Sequence, residues 1–217
     1  MREKLLVGVL ASGTGSNFRA IAEACARGDV PAEVVALVSN KEAAGALSLA
    51  KGFGVPAHFV SPKGLTREEH ERRIADVLDA AGVGLVCLAG YMRLLTPWFV
   101  QHYAGRLVNV HPALLPAFPG VHAQKQAFDY GVRVAGCTTH FVTEEMDAGP
   151  VILQAAVPVL PDDSEDSLAQ RILTEEHRIY PETVRLFAEG RLRIEGRKVV
   201  IEGARADGDQ RLKWSTR

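Results

Sequence analysis

The chain has 217 residues, and at about 150 residues per domain that length holds one large domain rather than two full ones. Hydrophobic residues make up 47% and charged residues 24%, enough apolar matter for a core, so wholesale disorder is excluded. With 25 Lys and Arg against 26 Asp and Glu the formal net charge is -1, which argues against a nucleic-acid surface and requires any anionic ligand to be held locally.

Arg2 and Lys4 precede an apolar run, as in a signal peptide, but Glu3 interrupts the basic stretch and a glycine-rich turn follows at once. The chain therefore reads as a cytoplasmic protein that starts on its first strand, 5–10, aliphatic throughout as a strand buried on both faces should be. Phe18, Ile21, Ala22 and Cys25 recur at helical intervals over 17–27, and Gly28 ends that helix. A second strand is expected over 33–38, a helix over 42–51 closed by Gly52, and a short strand over 57–60. Thr66 and Glu69 form a capping box for the next helix. Further strands are expected at 84–89, 106–110, 137–142 and 151–157. A long amphipathic helix should fill 164–189, with Pro181 kinking or splitting it. A small hairpin, 192–194 with 198–201, turns around Glu195, Gly196 and Arg197, and residues 203–217 read as a polar, mobile tail.

Strand-length apolar runs alternating with helical segments specify an α/β fold, a doubly wound, mostly parallel sheet with helices on both faces and a Rossmann-type N-terminal half, as a single domain over 1–202. Cys25, Cys87 and Cys137 are far apart, without zinc spacing, and read as reduced buried thiols. The longest apolar run, 83–89, is far short of the roughly 20 residues of a membrane helix.

Open parallel sheets bind ligands at the carboxyl ends of their strands, so the loops there carry the functional reading. The first, Ala11-Ser12-Gly13-Thr14-Gly15-Ser16-Asn17, has the small residues and helix start that suit a phosphate. A dinucleotide fingerprint would need a glycine at Phe18 and an acid after the second strand, where Ser39-Asn40-Lys41 stands instead. A mononucleotide or sugar phosphate fits better. Asn109 and His111 fall on one side of a strand end, where an amide and an imidazole can flank one reacting carbonyl. His140, and Asp147 in a glycine-bounded loop, form a second polar cluster. An acid beside an imidazole stabilises its cation.

In this order, GTGSN, AGYMRLL (89–95), NVHPALLPAFPG (109–120) and MDAGPVI (146–152) resemble the glycinamide ribonucleotide formyltransferases, folate-dependent enzymes of purine biosynthesis. Asn, His and Asp alone would give only the wider folate formyltransferase class. GTGSN, HPALLP and Glu175-Glu176-His177 favour this member. The resemblance implies catalytic roles for Asn109, His111 and Asp147, with His140 in support. It implies ribonucleotide binding by Gly15, Ser16, Asn17 and Glu176. It implies folate binding by Arg67, Met92, Arg93, Leu94, Leu95, Asn109, Thr143, Glu144, Glu145, Met146 and Asp147. The co-substrate would be 10-formyltetrahydrofolate, with no metal, no nucleic acid, no membrane and a monomer or homodimer. Thr14 and Gln124 depart from residues common in the family, asparagine and histidine respectively, outside the catalytic set. The competing readings are a formyltetrahydrofolate deformylase, expected to carry an extra domain before the catalytic part, a methionyl-tRNA formyltransferase, expected to carry one after it, and a non-catalytic nucleotide-binding module.

Overall fold

The computed structural model describes residues 3–203, so the expected tail lies outside the described residues except for Gly203, which sits in a turn. The elements are β1 (Leu5–Leu10), α1 (Ser16–Arg27), β2 (Ala32–Ser39), α2 (Gly45–Gly52), β3 (Ala57–Phe59), α3 (Arg67–Ala80), β4 (Leu85–Leu88) and α4 (Pro97–His102), followed by β5 (Leu107–His111), α5 (Ala123–Tyr130), β6 (Val134–Phe141), β7 (Val151–Pro158), α6 (Glu165–Ala188), β8 (Leu192–Glu195) and β9 (Lys198–Ile201). They form one nine-stranded sheet in the order β3-β2-β1-β4-β5-β6-β7-β9-β8. From β3 to β5 every pairing is parallel. β6 then runs antiparallel to both β5 and β7, and the β8–β9 hairpin joins the edge through a parallel contact of Val151 with Lys198.

The aliphatic strands are buried on both sides because helices cover both faces. Val7, Val9, Leu85 and Val108 pack with Phe18 and Ile21 of α1, Ala46 of α2 and Tyr180 and Val184 of α6. Leu10, Val38 and Val86 pack on the other face with Ile74 and Leu78 of α3 and Phe99 of α4. A third cluster joins Cys137, Ala155 and Val157 to Leu168, Ile172 and Ile179 of α6. Cys87 and Cys137 are buried free thiols, whereas Cys25 is half-buried on α1.

Three expectations need correction. α2 starts at Gly45 rather than at residue 42, because Lys41 to Ala44 form a turn in which Ala44 N–H bonds the Lys41 carbonyl at 3.2 Å. β6 begins at Val134, three residues early, extended by pairing with β7 as far as Pro158. α6 is not split at Pro181, which stays inside one 24-residue helix. The proline removes one backbone donor. On either side of it, however, Ile179, Tyr180 and Val184 are at most 2% exposed, and Tyr180 donates to the carbonyls of Leu88 and Val108 at 3.0 and 3.1 Å. That burial outweighs the lost bond. Two short helices, α4 and α5, had no expectation in the sequence.

Candidate active site

β1 lies between β2 and β4, so the loops leaving its carboxyl end and that of β4 diverge, and a crevice opens between them. Ser12 joins the two loops. Its N–H bonds the Gly90 carbonyl at 3.1 Å, and its hydroxyl accepts from Met92 N–H at 2.9 Å while donating to Asn40 Oδ1 at 2.6 Å. Gly15 begins α1 with φ 85°, and an added Cβ would stand 2.9 Å from Ala46 Cα, so only glycine fits. No side chain caps α1 and its first turn holds no acid, which leaves the first amides directed at the crevice for an anion.

Asn17, in that first turn, donates to Glu176 Oε2 of α6 at 2.7 Å, while its own Oδ1 is buried without a partner among the described residues. Glu176 is 5% exposed, and burial pushes its carboxyl up to about 7 against the pull of the Asn17 bond. The folded protein therefore holds this proton where the unfolded chain, at 4.5, releases it. Stability is lost as pH rises from about 4.5 to about 7 and is level above that, a change of up to about 3 kcal/mol. Glu176→Gln is expected to flatten that slope and to be more stable than the parent at pH 8 in urea titrations. An unchanged slope would show that Glu176 does not titrate in this window.

The second group is built on the β5–β6 pair. Period-two geometry puts Asn109 and His111 on one face, and the antiparallel register sets His140 directly opposite Asn109. His140 is 2% exposed; its Nδ1–H donates to the Phe141 carbonyl at 2.9 Å, so its Nε2 accepts from Asn109 Nδ2 at 3.2 Å. Burial lowers its pKa, consistent with a neutral ring. His111, 4% exposed, donates from Nε2 to the Phe118 carbonyl at 2.8 Å and turns Nδ1 to Asp147 Oδ2 at 3.4 Å. Asp147 reaches in from the loop between β6 and β7 with φ 52°; Gly120 N–H donates to its Oδ2 at 2.8 Å, and its Oδ1 lies 3.8 Å from His140 Nε2. Asn109, His111, His140 and Asp147 thus meet in one contiguous cluster.

On the loops that follow β4, β5 and β6, Met92, Leu94, Val121 and Met146 are between 53% and 70% exposed. Behind the Asp147 loop a cavity of about 300 Å³ is lined by Pro116, Pro119, Glu145, Met146, Asp147 and Arg197. A groove of about 640 Å³ between α1 and α6 includes Ser16, Arg19 and His177. Arg67 is exposed at the start of α3, and Arg93 is half-buried. Thr143 and Glu144 do not join the cluster: Thr143 bonds the Glu145 carbonyl, and Glu144 accepts from Gln101 of α4 at 2.9 Å.

A profile of the formyl transferase family matches residues 5–184. The chain belongs to that family. The phosphoribosylglycinamide formyltransferase of Escherichia coli is 44% identical over 91% of this chain and 93% of its own length. The crystal structure of glycinamide ribonucleotide transformylase 1 from Symbiobacterium toebii is similar with a TM-score of 0.91 and 50% identity, covering 93% of this chain and 95% of that one. A formyltetrahydrofolate deformylase from Pseudomonas syringae has a TM-score of 0.85 at 26% identity; 91% of this chain is covered but only 66% of the deformylase. The formyl transferase match contains the whole Asn109 to Asp147 cluster and Glu176, while the β8–β9 hairpin lies beyond it.

Sequence reasoning about this formyl transferase passed over the residues that brace the cluster. Thr138 accepts from Leu115 N–H and donates to the Ala113 carbonyl, at 3.0 and 2.7 Å, and Gln154 donates to the Leu115 carbonyl at 2.9 Å. These bonds, and not the prolines alone, hold the loop after His111. Neither residue carried a signal, since a threonine and a glutamine inside strands read as ordinary sheet positions.

Proposed function

We propose that this formyl transferase passes the formyl group of 10-formyltetrahydrofolate to the amine of 5'-phosphoribosylglycinamide, a step of purine biosynthesis. The observation that carries the reading is the meeting of an amide, two imidazoles and a carboxylate at the sheet edge that also holds the uncapped start of α1. The names of the relatives point the same way.

The amine nitrogen attacks the formyl carbon, the carbonyl electron pair moves to oxygen, and the tetrahedral intermediate collapses by breaking the bond to the folate nitrogen. The proton lost by the amine ends on that nitrogen. Asn109 gives one amide N–H to His140 and has a second for the developing oxyanion. His111, protonated on both nitrogens, spends one on the Phe118 carbonyl and keeps Nδ1–H on the side of Asp147, where a 3.4 Å contact is loose enough for the oxyanion to compete. Asp147 balances the imidazolium and, through Oδ1, holds the water that relays the proton.

The ribonucleotide phosphate lies on the amides of Gly15, Ser16 and Asn17, with Glu176 against its sugar. The folate ring lies between Met92, Leu94 and Met146, its polar edge read by the backbone of residues 93–95, which has no other hydrogen bond among the described residues. Arg67 faces the folate's carboxylates, and Arg67→Ala should weaken 10-formylfolate binding about tenfold in a fluorescence titration. Unchanged affinity would remove Arg67 from that subsite. The function itself is tested by incubating the protein with 10-formyltetrahydrofolate and the ribonucleotide. Deacylated folate should appear only with both present; release without the amine would indicate a deformylase, and no release a binding module.

A further inference from the structure

Composition makes α3 look like a solvated helix, because Arg67, Glu68, Glu69, Glu71, Arg72 and Arg73 crowd its first two turns. Yet His70 is fully buried and Glu71 is 2% exposed. A carboxylate so placed is tolerated only when hydrogen-bonded. Both Glu71 oxygens accept from Thr96 N–H, at 3.0 and 3.2 Å, and one also accepts from the Thr96 hydroxyl. Burial pushes the carboxyl's pKa up, while the Thr96 bonds and the charges of Arg67 and Arg93 pull it back. Thr96 is the residue at which α4 begins, its hydroxyl accepting from Phe99 N–H. One side chain of α3 therefore clamps the far end of the loop 89–96.

The near end of that loop is held by Ser12, through Gly90 and Met92. Between the two anchors the backbone of residues 93–95 makes no hydrogen bond among the described residues, and Met92 and Leu94 project outward. Tied at both ends, an open stretch of this kind can offer its amides and carbonyls in fixed positions. Freed at one end, it would have to be ordered when a ligand binds, and affinity would fall by that cost. Arg67 stands one turn before Glu71 on the same helix, so the clamp also sets the distance from Arg67 to the loop.

We propose that Glu71 is a positioning residue for the folate subsite, fixing the loop that carries residues 92–95 against the start of α3 before the ligand arrives. This rests on the folate reading given above. Glu71 touches neither substrate; it acts through Thr96.

The test combines titration with 10-formylfolate and steady-state kinetics. Glu71→Ala should weaken 10-formylfolate about tenfold, the worth of bonds to a charged acceptor. It should leave the KM for the ribonucleotide, and kcat at saturating folate, within about twofold. In Glu71→Gln the amide oxygen still accepts from Thr96 N–H and the amide nitrogen can donate to its hydroxyl, so affinity should return to within about threefold of the parent. Equal losses for both substrates, a loss in kcat alone, or a glutamine variant as weak as alanine would each overturn the proposal. Should Glu71→Ala fail to fold, Thr96→Ala replaces it: the backbone bond to Glu71 survives, the hydroxyl bond is lost, and binding should weaken about threefold. No weakening there overturns the proposal as well. Failure of the parent protein to bind 10-formylfolate would overturn the folate reading too, and the same titration separates the two cases.

Discussion

Asn109→Ala should lower kcat by about 10²–10³-fold, the usual effect of losing one oxyanion donor. Asp147→Asn should fall in the same range by another route. Asparagine can still accept from Gly120 N–H, so the loop keeps its shape, but it carries no charge to balance the His111 imidazolium and is a poor base toward the relayed proton. With the ribonucleotide placed, as proposed, on the start of α1 and on Glu176, away from these atoms, its Kd by calorimetry should change by less than about threefold in either variant. The double variant should be little worse than Asn109→Ala, since amide, imidazole and carboxylate act as one unit. Turnover near that of the parent in either purified single variant would reject the assigned roles.

That set was half legible in the sequence. Asn109 and His111 share a face because strands have a period of two, and this follows from spacing alone. That His140 stands opposite Asn109 depends on β6 turning antiparallel, which no local pattern announces. Nor does anything local reveal that Asp147 reaches His111: it takes a left-handed backbone at Asp147 and a Gly120 N–H from a loop 27 residues earlier. The glycine turn into α1 was readable because small residues mark a strand-to-helix turn, and its use as a phosphate loop stays a proposal.

The fold divides along the same line. Strands β1 and β4 were visible as apolar runs because helices cover both faces of a parallel sheet, whereas β2 carries the exposed Glu33. The six-residue α4 is too short to show a helical period, and α5 is entered through His122 at φ 57° with no side-chain cap among the described residues to announce it. The charge run that opens α3 gave no sign that one of its carboxylates, Glu71, is buried and satisfied by Thr96, 25 residues along the chain. Pro181 misled, since packing across the sheet decided what the local rule could not.

Gly149→Ala should be the most damaging single methyl added to this loop. A Cβ at residue 149 would stand 1.8 Å from the Phe141 carbonyl oxygen and 2.9 Å from its carbon, both backbone atoms that no rotamer change can move. The two chain segments meet there because Phe141 N–H bonds the Pro150 carbonyl at 2.9 Å, closing the loop that began at the end of β6. Alanine must drive them apart, breaking that bond and shifting His140 on one side and Asp147 on the other. The expected loss is about 3 kcal/mol or more in urea denaturation, the upper range for overpacking, together with most of the turnover. Gly52→Ala is the control: a Cβ there meets nothing within 4 Å, and at the last residue of α2 it should cost nothing or stabilise by up to about 1 kcal/mol. Were the two variants to denature at the same urea concentration, the contact between Gly149 and Phe141 would not be what holds Asp147 in place.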